Sequence, residues 1–290
     1  MASNKDHWSS TEYQKSADFV PKLAGKVVQW LDLQEDDVLL DIGCGDGILN
    51  AEFAKVLSRG GGSQVGIDSS PAMIRAAQDL CASHANSTFK VADAANLSPP
   101  SSSAEPSLQP GTFTKVFSNA AMHWILRDPS THDAFFASVA SLLRPGGTLA
   151  FEMGGLGNVS EMRAALHIAV TRRLTSSSGG KGYEEAVAAV RAADPWFFGD
   201  EAWARRALEA AGLRVDAVER EWRPTPAGEA GVRGWLRLMG ARFLDLVPDE
   251  EGREAALDEA ATAMEFVSRV PGGGEMLSYV RLRARATKVA

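Results

Sequence analysis

The stretch Val38-Leu-Leu-Asp-Ile-Gly-Cys-Gly-Asp-Gly47 decides the fold of this 290-residue chain. It opens as a short apolar run, which is typical of a strand buried on both faces of a sheet. Three glycines then alternate with other residues, and apolar residues recur at helical spacing from Leu49 to Leu57. A strand, a glycine-rich turn and a helix in this order predict the opening unit of a nucleotide-binding sheet, because glycine lets the backbone approach a ligand closely.

The spacing of these glycines differs from that of two common phosphate-binding turns. Dinucleotide-binding sheets use Gly-x-Gly-x-x-Gly, but Ile48 stands where the third glycine would lie. Phosphate-cradling loops end in Gly-Lys-Ser/Thr, and no lysine follows here. The pattern therefore favours a ligand that passes an amino-acid tail and a ribose along the loop. An ordinary glycine-rich turn before a helix is the alternative.

The composition is that of a globular protein, with 45% apolar and 23% charged residues. The length is close to that at which a single core stops growing, so we expect one domain with a lid. A net charge of −7 argues against a nucleic-acid partner, and the spacing of Cys44 and Cys81 predicts no metal site. Because no apolar run is long enough to span a membrane, we expect a cytoplasmic protein without a membrane partner. The oligomeric state stays open.

The second predicted strand, Gln64 to Ile67, ends at Asp68. A carboxylate at this position can accept hydrogen bonds from two ribose hydroxyls. The alternative is that Asp68 caps the helix that follows, but Ser69 and Ser70 can serve as caps instead. We therefore predict a ribose site at Asp68, with Ser69 beside it.

Polar residues also follow the third and fourth predicted strands. Asp93 either accepts a hydrogen bond from an exocyclic adenine amine, with the Ala94 N–H at a ring nitrogen, or is an ordinary turn aspartate. Met73 lines the adenine pocket or belongs to the core. Asn119 lies at the carboxyl end of the fourth strand, where open parallel sheets place their ligands, so it can bond an amino group of the ligand.

His123 and Trp124 come next, on a turn or short helix. Histidine titrates near neutral pH, so His123 is a candidate acid or base, with a structural histidine as the alternative. We expect Trp124 to form a wall of the reaction site. Near the N-terminus, Trp8 and Tyr13 predict an arm that folds over the ligand, and a frayed terminus is the alternative.

Alternating strands and helices predict an α/β fold with a doubly wound, mostly parallel seven-stranded sheet and a helical lid. The last strand, Leu277 to Lys288, alternates apolar and basic residues as an edge strand would. The predicted organisation is a cofactor-binding core with an N-terminal arm (1–155), a lid insertion (156–200), a return to the core (201–227), a second lid segment (228–274) and a closing strand (275–290).

The two lid segments carry the residues predicted to contact a substrate. Trp196 and Trp235 predict an aromatic lining for a small substrate, and packing within a second small core is the alternative. Arg237 and Arg242 can grip a substrate carboxylate, for which a guanidinium is well suited, or they solvate a helix face.

Several motifs occur in the order found in class I S-adenosylmethionine-dependent methyltransferases, which this chain therefore resembles. They are Asp41-Ile-Gly-Cys-Gly-Asp-Gly47, Asp68, Asp93-Ala94, Ser118-Asn-Ala-Ala-Met-His-Trp124 and Leu143-Arg-Pro-Gly-Gly147. The Asn119-to-Trp124 block and Gly234-Trp-Leu-Arg-Leu-Met-Gly240 are similar to the trans-aconitate methyltransferase group of that family. The resemblance covers residues 8–155 well and the lid loosely.

The resemblance implies S-adenosyl-L-methionine as the cofactor and a small molecule as the methyl acceptor. The acceptor is a carboxylate, as in trans-aconitate, or a hydroxyl or amine of a small natural product. A non-catalytic cofactor-binding regulator and an RNA or protein methyltransferase are the alternatives. The residues implied at the cofactor are Asp41, Gly43, Cys44, Gly45, Gly47, Asp68, Ser69, Met73, Asp93, Ala94 and Asn119, together with Trp8 and Tyr13 of the arm.

Overall fold

The computed structural model describes residues 24–97, 108–176 and 180–289. The predicted arm with Trp8 and Tyr13 lies outside these residues. Within the described ranges, no helix combines the length and the apolar character needed to cross a membrane.

Eleven helices and seven strands alternate along the described chain. In order they are α1 (Gly25–Leu31), β1 (Val38–Ile42), α2 (Ile48–Leu57), β2 (Ser63–Asp68), α3 (Pro71–Leu80), β3 (Ser87–Val91), β4 (Phe113–Asn119), α4 (Met122–Ile125), α5 (His132–Leu142), β5 (Leu143–Gly154), α6 (Ser160–Ser176), α7 (Tyr183–Ala193), α8 (Glu201–Ala210), β6 (Leu213–Pro226), α9 (Gly231–Met239), α10 (Ala241–Leu244), α11 (Glu250–Ser268) and β7 (Met276–Lys288).

The strands form one sheet in the order β3-β2-β1-β4-β5-β7-β6. The first five run parallel, and β7 runs antiparallel to both β5 and β6. This confirms the predicted α/β class with a mostly parallel seven-stranded sheet. Because the carboxyl ends of parallel strands meet at one edge of a sheet, the residues that follow β1, β2, β3 and β4 are brought close together.

The prediction that the last strand is an edge strand is wrong. The strand β7 lies inside the sheet, and β6 is the edge. The basic residues of β7 do not face solvent, since Arg281 is 2% exposed and Arg283 1% exposed. Arg283 is instead in contact with the carboxylates of Glu152, Glu219 and Glu221. An alternation of apolar and basic residues therefore marks a buried strand here, because neighbouring strands supply the opposite charges.

Apolar clusters cover both faces of the sheet. On one face, Phe117 of β4 packs with Val27 of α1 and Phe53 of α2. On the other face, Phe151 of β5 packs with residues of α5 and α8, among them Phe136. A separate cluster joins α6, α7, α9 and α11 above the carboxyl end of the sheet, and it includes Trp196 and Trp235.

The three glycines after β1 serve different purposes. A Cβ atom at Gly43 would overlap the Cβ atom of Ala121, and one at Gly47 would lie 2.8 Å from the Cβ atom of Ala77. These two glycines therefore permit close packing within the protein. A Cβ atom at Gly45 would meet no atom within 4 Å, although its φ is +57°. Only at this position does the missing side chain leave space above the loop.

We expect Gly43→Ala and Gly45→Ala to have different effects on stability. Gly43→Ala adds an overlap to a left-handed backbone, so it should lower the free energy of unfolding by about 3 kcal/mol. Gly45→Ala adds only the backbone penalty, about 1 kcal/mol. Chemical denaturation of the two variants checks this order, and equal losses would contradict the packing role of Gly43.

Candidate functional site

One cleft lies at the carboxyl ends of β1, β2 and β4, beneath the helices α6, α7 and α9. Most of the residues predicted for the site line it. They are Asp41, Gly43, Cys44, Gly45, Asp68, Ser69, Met73, Asp93, Ala94, Asn119, His123, Trp124, Trp196 and Trp235. The aspartates that end three different strands thus share a single cleft.

Hydrogen bonds to Asp68 hold the glycine loop against the second strand. One carboxylate oxygen of Asp68 accepts from the Gly45 N–H at 3.1 Å, and the other accepts from the Ser70 N–H at 2.9 Å. The carbonyl of Ile67 accepts from the N–H groups of Gly43 and Cys44. Ser70 is the N-cap of α3, and its hydroxyl accepts from the Met73 N–H. Asp68 therefore orients the loop at the cleft, and a serine caps the helix as predicted.

Asp93 is a turn aspartate, which is one of the two interpretations that the sequence leaves open, and its adenine contact stays a prediction. Its carboxylate caps a short 3-10 turn by accepting from the Ala95 N–H at 3.0 Å and from the side-chain amide of Asn96 at 2.9 Å. The same residue lines the cleft together with Ala94. The turn fixes the carboxylate at the cleft.

Asp41 lies deepest in the cleft wall and is 2% exposed. Burial is the main cause that raises the pKa of its carboxyl to about 7; a hydrogen bond from Asn50 lowers this pKa and the nearby charge of Asp68 raises it, and both effects are included in that value. A buried carboxyl with this pKa gains its charge most easily when a cation lies beside it. Asp41 thus favours a positively charged group in the cleft.

Asn119 ends β4 at the floor of the cleft. Its side-chain oxygen is buried and makes no hydrogen bond to the part of the chain that the structure describes. A buried amide oxygen normally has a donor, because leaving it unpaired costs about 1–3 kcal/mol. A ligand amine is such a donor.

His123 is buried and kept neutral. Burial, together with the positive charge of Arg281, lowers the pKa of His123 to about 3. The Gly154 N–H donates to Nδ1 at 3.3 Å, which assigns the imidazole proton to Nε2. His123 can therefore donate a hydrogen bond from Nε2, but it is a poor base at neutral pH. The low pKa therefore argues against the predicted role of His123 as a base and favours the alternative, a structural histidine.

An aromatic wall closes the side of the cleft opposite the aspartates. Trp124 meets Trp196 edge to face at 5.4 Å between ring centroids, and Trp196 stacks on Phe198 at 6.0 Å. Asp194 accepts from the Trp196 N–H at 3.1 Å and is also bonded by Arg163, which fixes the segment that carries Trp196. Aromatic rings of the two lid segments, those of Trp196 and Trp235, thus line the cleft.

Two residues of β7 line the cleft, although the sequence analysis assigned neither of them to the site. Tyr279 accepts a hydrogen bond from the indole of Trp235 at 2.6 Å, and the guanidinium of Arg281 lies 4.4 Å from the centroid of the Tyr279 ring. Both residues are buried. They were not predicted because the sequence analysis expected β7 at the edge of the sheet, and residues of an edge strand would lie far from the cleft.

Arg237, Arg242 and Gly47 need correction as predicted contacts, because none of them is among the described residues that line the cleft. Arg237 follows Trp235 by two positions on α9, so it faces away from it, and its guanidinium pairs with Glu254 at 2.5 Å. Gly47 packs on α3, as described above. Among the described residues, the arginine that lines the cleft is Arg281.

Comparison with known proteins identifies the family of this chain. Residues 39–147 match the family model described as a methyltransferase domain. An uncharacterized methyltransferase of Schizosaccharomyces pombe is 35% identical over 98% of this chain and 99% of its own length. A trans-aconitate 2-methyltransferase of Methylobacterium nodulans is 29% identical over 95% of this chain and 96% of its own length. The solved structure of the YcgJ protein from Bacillus subtilis shares the fold, with a TM-score of 0.57, 13% identity and coverage of 92% of this chain and 97% of that chain.

The chain therefore belongs to the class I S-adenosylmethionine-dependent methyltransferases. The recognised family and the fold agree with the resemblance on which the sequence prediction depends. The domain boundaries and the individual site residues stay predictions, since the comparisons describe whole chains and not single side chains.

Asp41→Asn should stabilise the ligand-free protein, and the gain should grow with pH. The folded pKa of Asp41, about 7, lies above the ordinary value of 3.8. Folding therefore disfavours the charged form of Asp41. The free energy of unfolding that Asp41 costs the wild type rises as the pH passes from about 4 to 7. We expect the variant to be more stable than the wild type by up to about 4 kcal/mol at pH 8 and by about half as much at pH 5. Denaturation at both pH values is the measurement, and a gain independent of pH would contradict the assignment.

Proposed function

We propose that this protein binds S-adenosyl-L-methionine and transfers its methyl group to a carboxylate oxygen of a small molecule. The observation that carries the proposal is the division of the cleft. Its acidic residues within the described chain are Asp41, Asp46, Asp68 and Asp93, all of which follow or end β1, β2 and β3. The opposite side presents aromatic rings, a neutral histidine and the buried guanidinium of Arg281.

The acidic half fits the cofactor. Asp68 and Asp93 would hold the ribose and the adenine amine, and the open space at Gly45 would admit the ligand beside the loop. The buried oxygen of Asn119 and the carboxyl of Asp41 would receive the amino group of the amino-acid tail. When bound, the cofactor supplies an electrophilic methyl group on a positively charged sulfur. The net positive charge of the ligand matches the excess of carboxylates in this half of the cleft.

The other half fits an acceptor that is already ionised. A carboxylate oxygen attacks the methyl carbon, the O–C bond forms as the S–C bond breaks, and the electron pair of the broken bond stays on sulfur. No proton is released, so no base is needed. A hydroxyl acceptor would have to lose a proton, and His123, with a pKa of about 3, is a weak base for that step. The chain's main contribution is alignment of the acceptor oxygen with the methyl group.

The size of the acceptor follows from the enclosing rings. Trp196 contacts both Trp124 and Trp235 in the aromatic wall, and a cleft closed in this way favours a small molecule over a polymer. The similarity to the trans-aconitate 2-methyltransferase of Methylobacterium nodulans supports the same acceptor class. We propose a cytoplasmic location, where both the cofactor and small organic acids are available.

Cofactor binding should be selective and should depend on Asp68. Calorimetry is expected to show binding of S-adenosylmethionine and none of NAD, because Ile48 replaces the third glycine of the dinucleotide turn. Asp68→Ala removes a charged acceptor and should weaken cofactor binding by about 1–3 kcal/mol. Binding of NAD alone would overturn the proposed function, and an unchanged affinity would restrict Asp68 to holding the glycine loop.

Methyl transfer should proceed without a general base. With saturating cofactor, a carboxylate acceptor and a rapid-quench assay, we expect a single-turnover rate that is flat from pH 6 to 9. His123→Gln keeps a hydrogen-bond donor and should lower this rate by less than about tenfold, whereas removal of a general base costs about a hundredfold or more. A loss of that larger size, with an alkaline rise in the wild-type rate, would favour a hydroxyl acceptor.

A further inference from the structure

We propose that Arg281 binds the carboxylate group that becomes methylated and that Glu152 positions Arg281 for this task. The inference rests on the proposed function and assigns its acceptor side to a named residue. It goes further by predicting how the protein distinguishes the acid that enters from the ester that leaves.

The position of Arg281 supports this role. It lines the cleft, is 2% exposed and lies opposite Gly154 in the antiparallel pairing of β5 with β7. The N–H of Gly154 is the donor to His123, and the charge of Arg281 acts on the His123 imidazole. Arg281 is therefore a neighbour of the block that follows β4, where the aspartate half of the cleft meets the aromatic half. A carboxylate held there would face the methyl group of a bound cofactor.

Contacts on two sides hold the guanidinium in place. The ring of Tyr279 lies 4.4 Å from it, and the phenol oxygen of Tyr279 is itself fixed by the indole of Trp235. On the other side, the carboxylate of Glu152 lies 3.8 Å from the Nε atom of Arg281. A planar guanidinium that has a ring against its face and a carboxylate near Nε keeps its orientation, which suits a directed hydrogen bond to one oxygen of a carboxylate.

Glu152 orients Arg281 more than it neutralises it. The nearer partners of the Glu152 carboxylate are Arg223, at 2.6 Å, and Arg283, which is in direct contact. At 3.8 Å, the interaction of Glu152 with Arg281 is longer than a charge-assisted hydrogen bond. Three arginines thus surround the carboxylate of Glu152, and Arg281 is the one of them that lines the cleft.

The positive charge of Arg281 can also favour release of the product, because methylation removes the negative charge of the acceptor. One carboxylate oxygen can accept from the guanidinium while the other attacks the methyl carbon. The acid carries a negative charge that Arg281 attracts, whereas the methyl ester is neutral at the reacting group. Methylation therefore removes the charge-assisted part of the binding energy, and the ester is held less tightly than the acid.

Binding measurements test the inference separately from catalysis. Mono-, di- and tricarboxylates, with trans-aconitate among them, are titrated into the protein saturated with S-adenosylhomocysteine, and tryptophan fluorescence reports binding. The uncharged methyl esters of the same acids are the matched probes. We expect the wild type to bind at least one acid more tightly than its ester, and Arg281→Gln to weaken binding of that acid by about ten- to a hundredfold with little change for the ester.

Variants control for folding and for nonspecific charge. Arg281→Lys keeps the charge and should retain part of the preference for acid over ester. Glu152→Gln also removes the partner of Arg223 and Arg283, so it is compared with the wild type at normal cofactor affinity, where a reduced preference supports the positioning of Arg281. Arg237→Gln, which alters an exposed arginine outside the cleft, should leave the preference unchanged. Cofactor affinity should stay within about twofold in Arg281→Gln and Arg281→Lys, which shows that the cofactor half remains folded.

The outcomes separate the two proposals. If cofactor binds but no acid is preferred over its ester, or if Arg281→Gln keeps the wild-type preference, the role of Arg281 is overturned while the cofactor assignment stands. If Arg281→Gln fails to fold, Arg281→Lys is judged instead. A partial or complete loss of the preference for acid over ester, at normal cofactor affinity, supports the role of Arg281. A preference equal to that of the wild type overturns it. If the cofactor does not bind at all, the proposed function itself fails.

Discussion

The ion pair between Glu152 and Arg283 is the constraint on which the acceptor side of this structure depends. Both residues are almost fully buried, and they join β5 to β7 inside the sheet. Removing one partner of such a pair leaves a buried charge uncompensated, which typically costs about 3–5 kcal/mol. Because Glu219 and Glu221 of β6 complete the partners of Arg283, the charges also join β7 to the edge strand. The pair therefore specifies where β7 lies.

The position of β7 gives the cleft its second half. Three parallel strands, β1, β2 and β3, bring carboxylates together through topology alone, since each aspartate only has to lie at or just after the end of its own strand. The strand β7 runs antiparallel to β5, and its residues Tyr279 and Arg281 line the same cleft. One half of the cleft thus suits a cation and the other half an anion. Methyl transfer from a sulfonium to a carboxylate joins those two partners and leaves both less charged.

Local patterns in the sequence predicted the cofactor half. The apolar run to Ile42, the glycine spacing and the aspartates at strand ends each report on a few neighbouring residues, and the structure brings them together as expected. The order of β7 within the sheet could not be predicted in this way. An alternation of basic and apolar residues is the same for an edge strand and for a buried strand with acidic neighbours, and those neighbours lie far away in the chain. The lid arginines were chosen for their chemistry, but helical phase turns Arg237 away from Trp235.

The sequence distance between Glu152 and Arg283 has a consequence for how the molecule forms. The two residues are 131 positions apart, whereas the pairings among β1, β2 and β3 join nearby segments. Contacts that close long loops cost more chain entropy and tend to form late, so the strands β1 to β3 with their helices can assemble before the antiparallel pair of β6 and β7 docks. During that interval the nascent sheet exposes β5 as an open edge, and the charged side chain of Glu152 makes this edge a poor template for association with other chains.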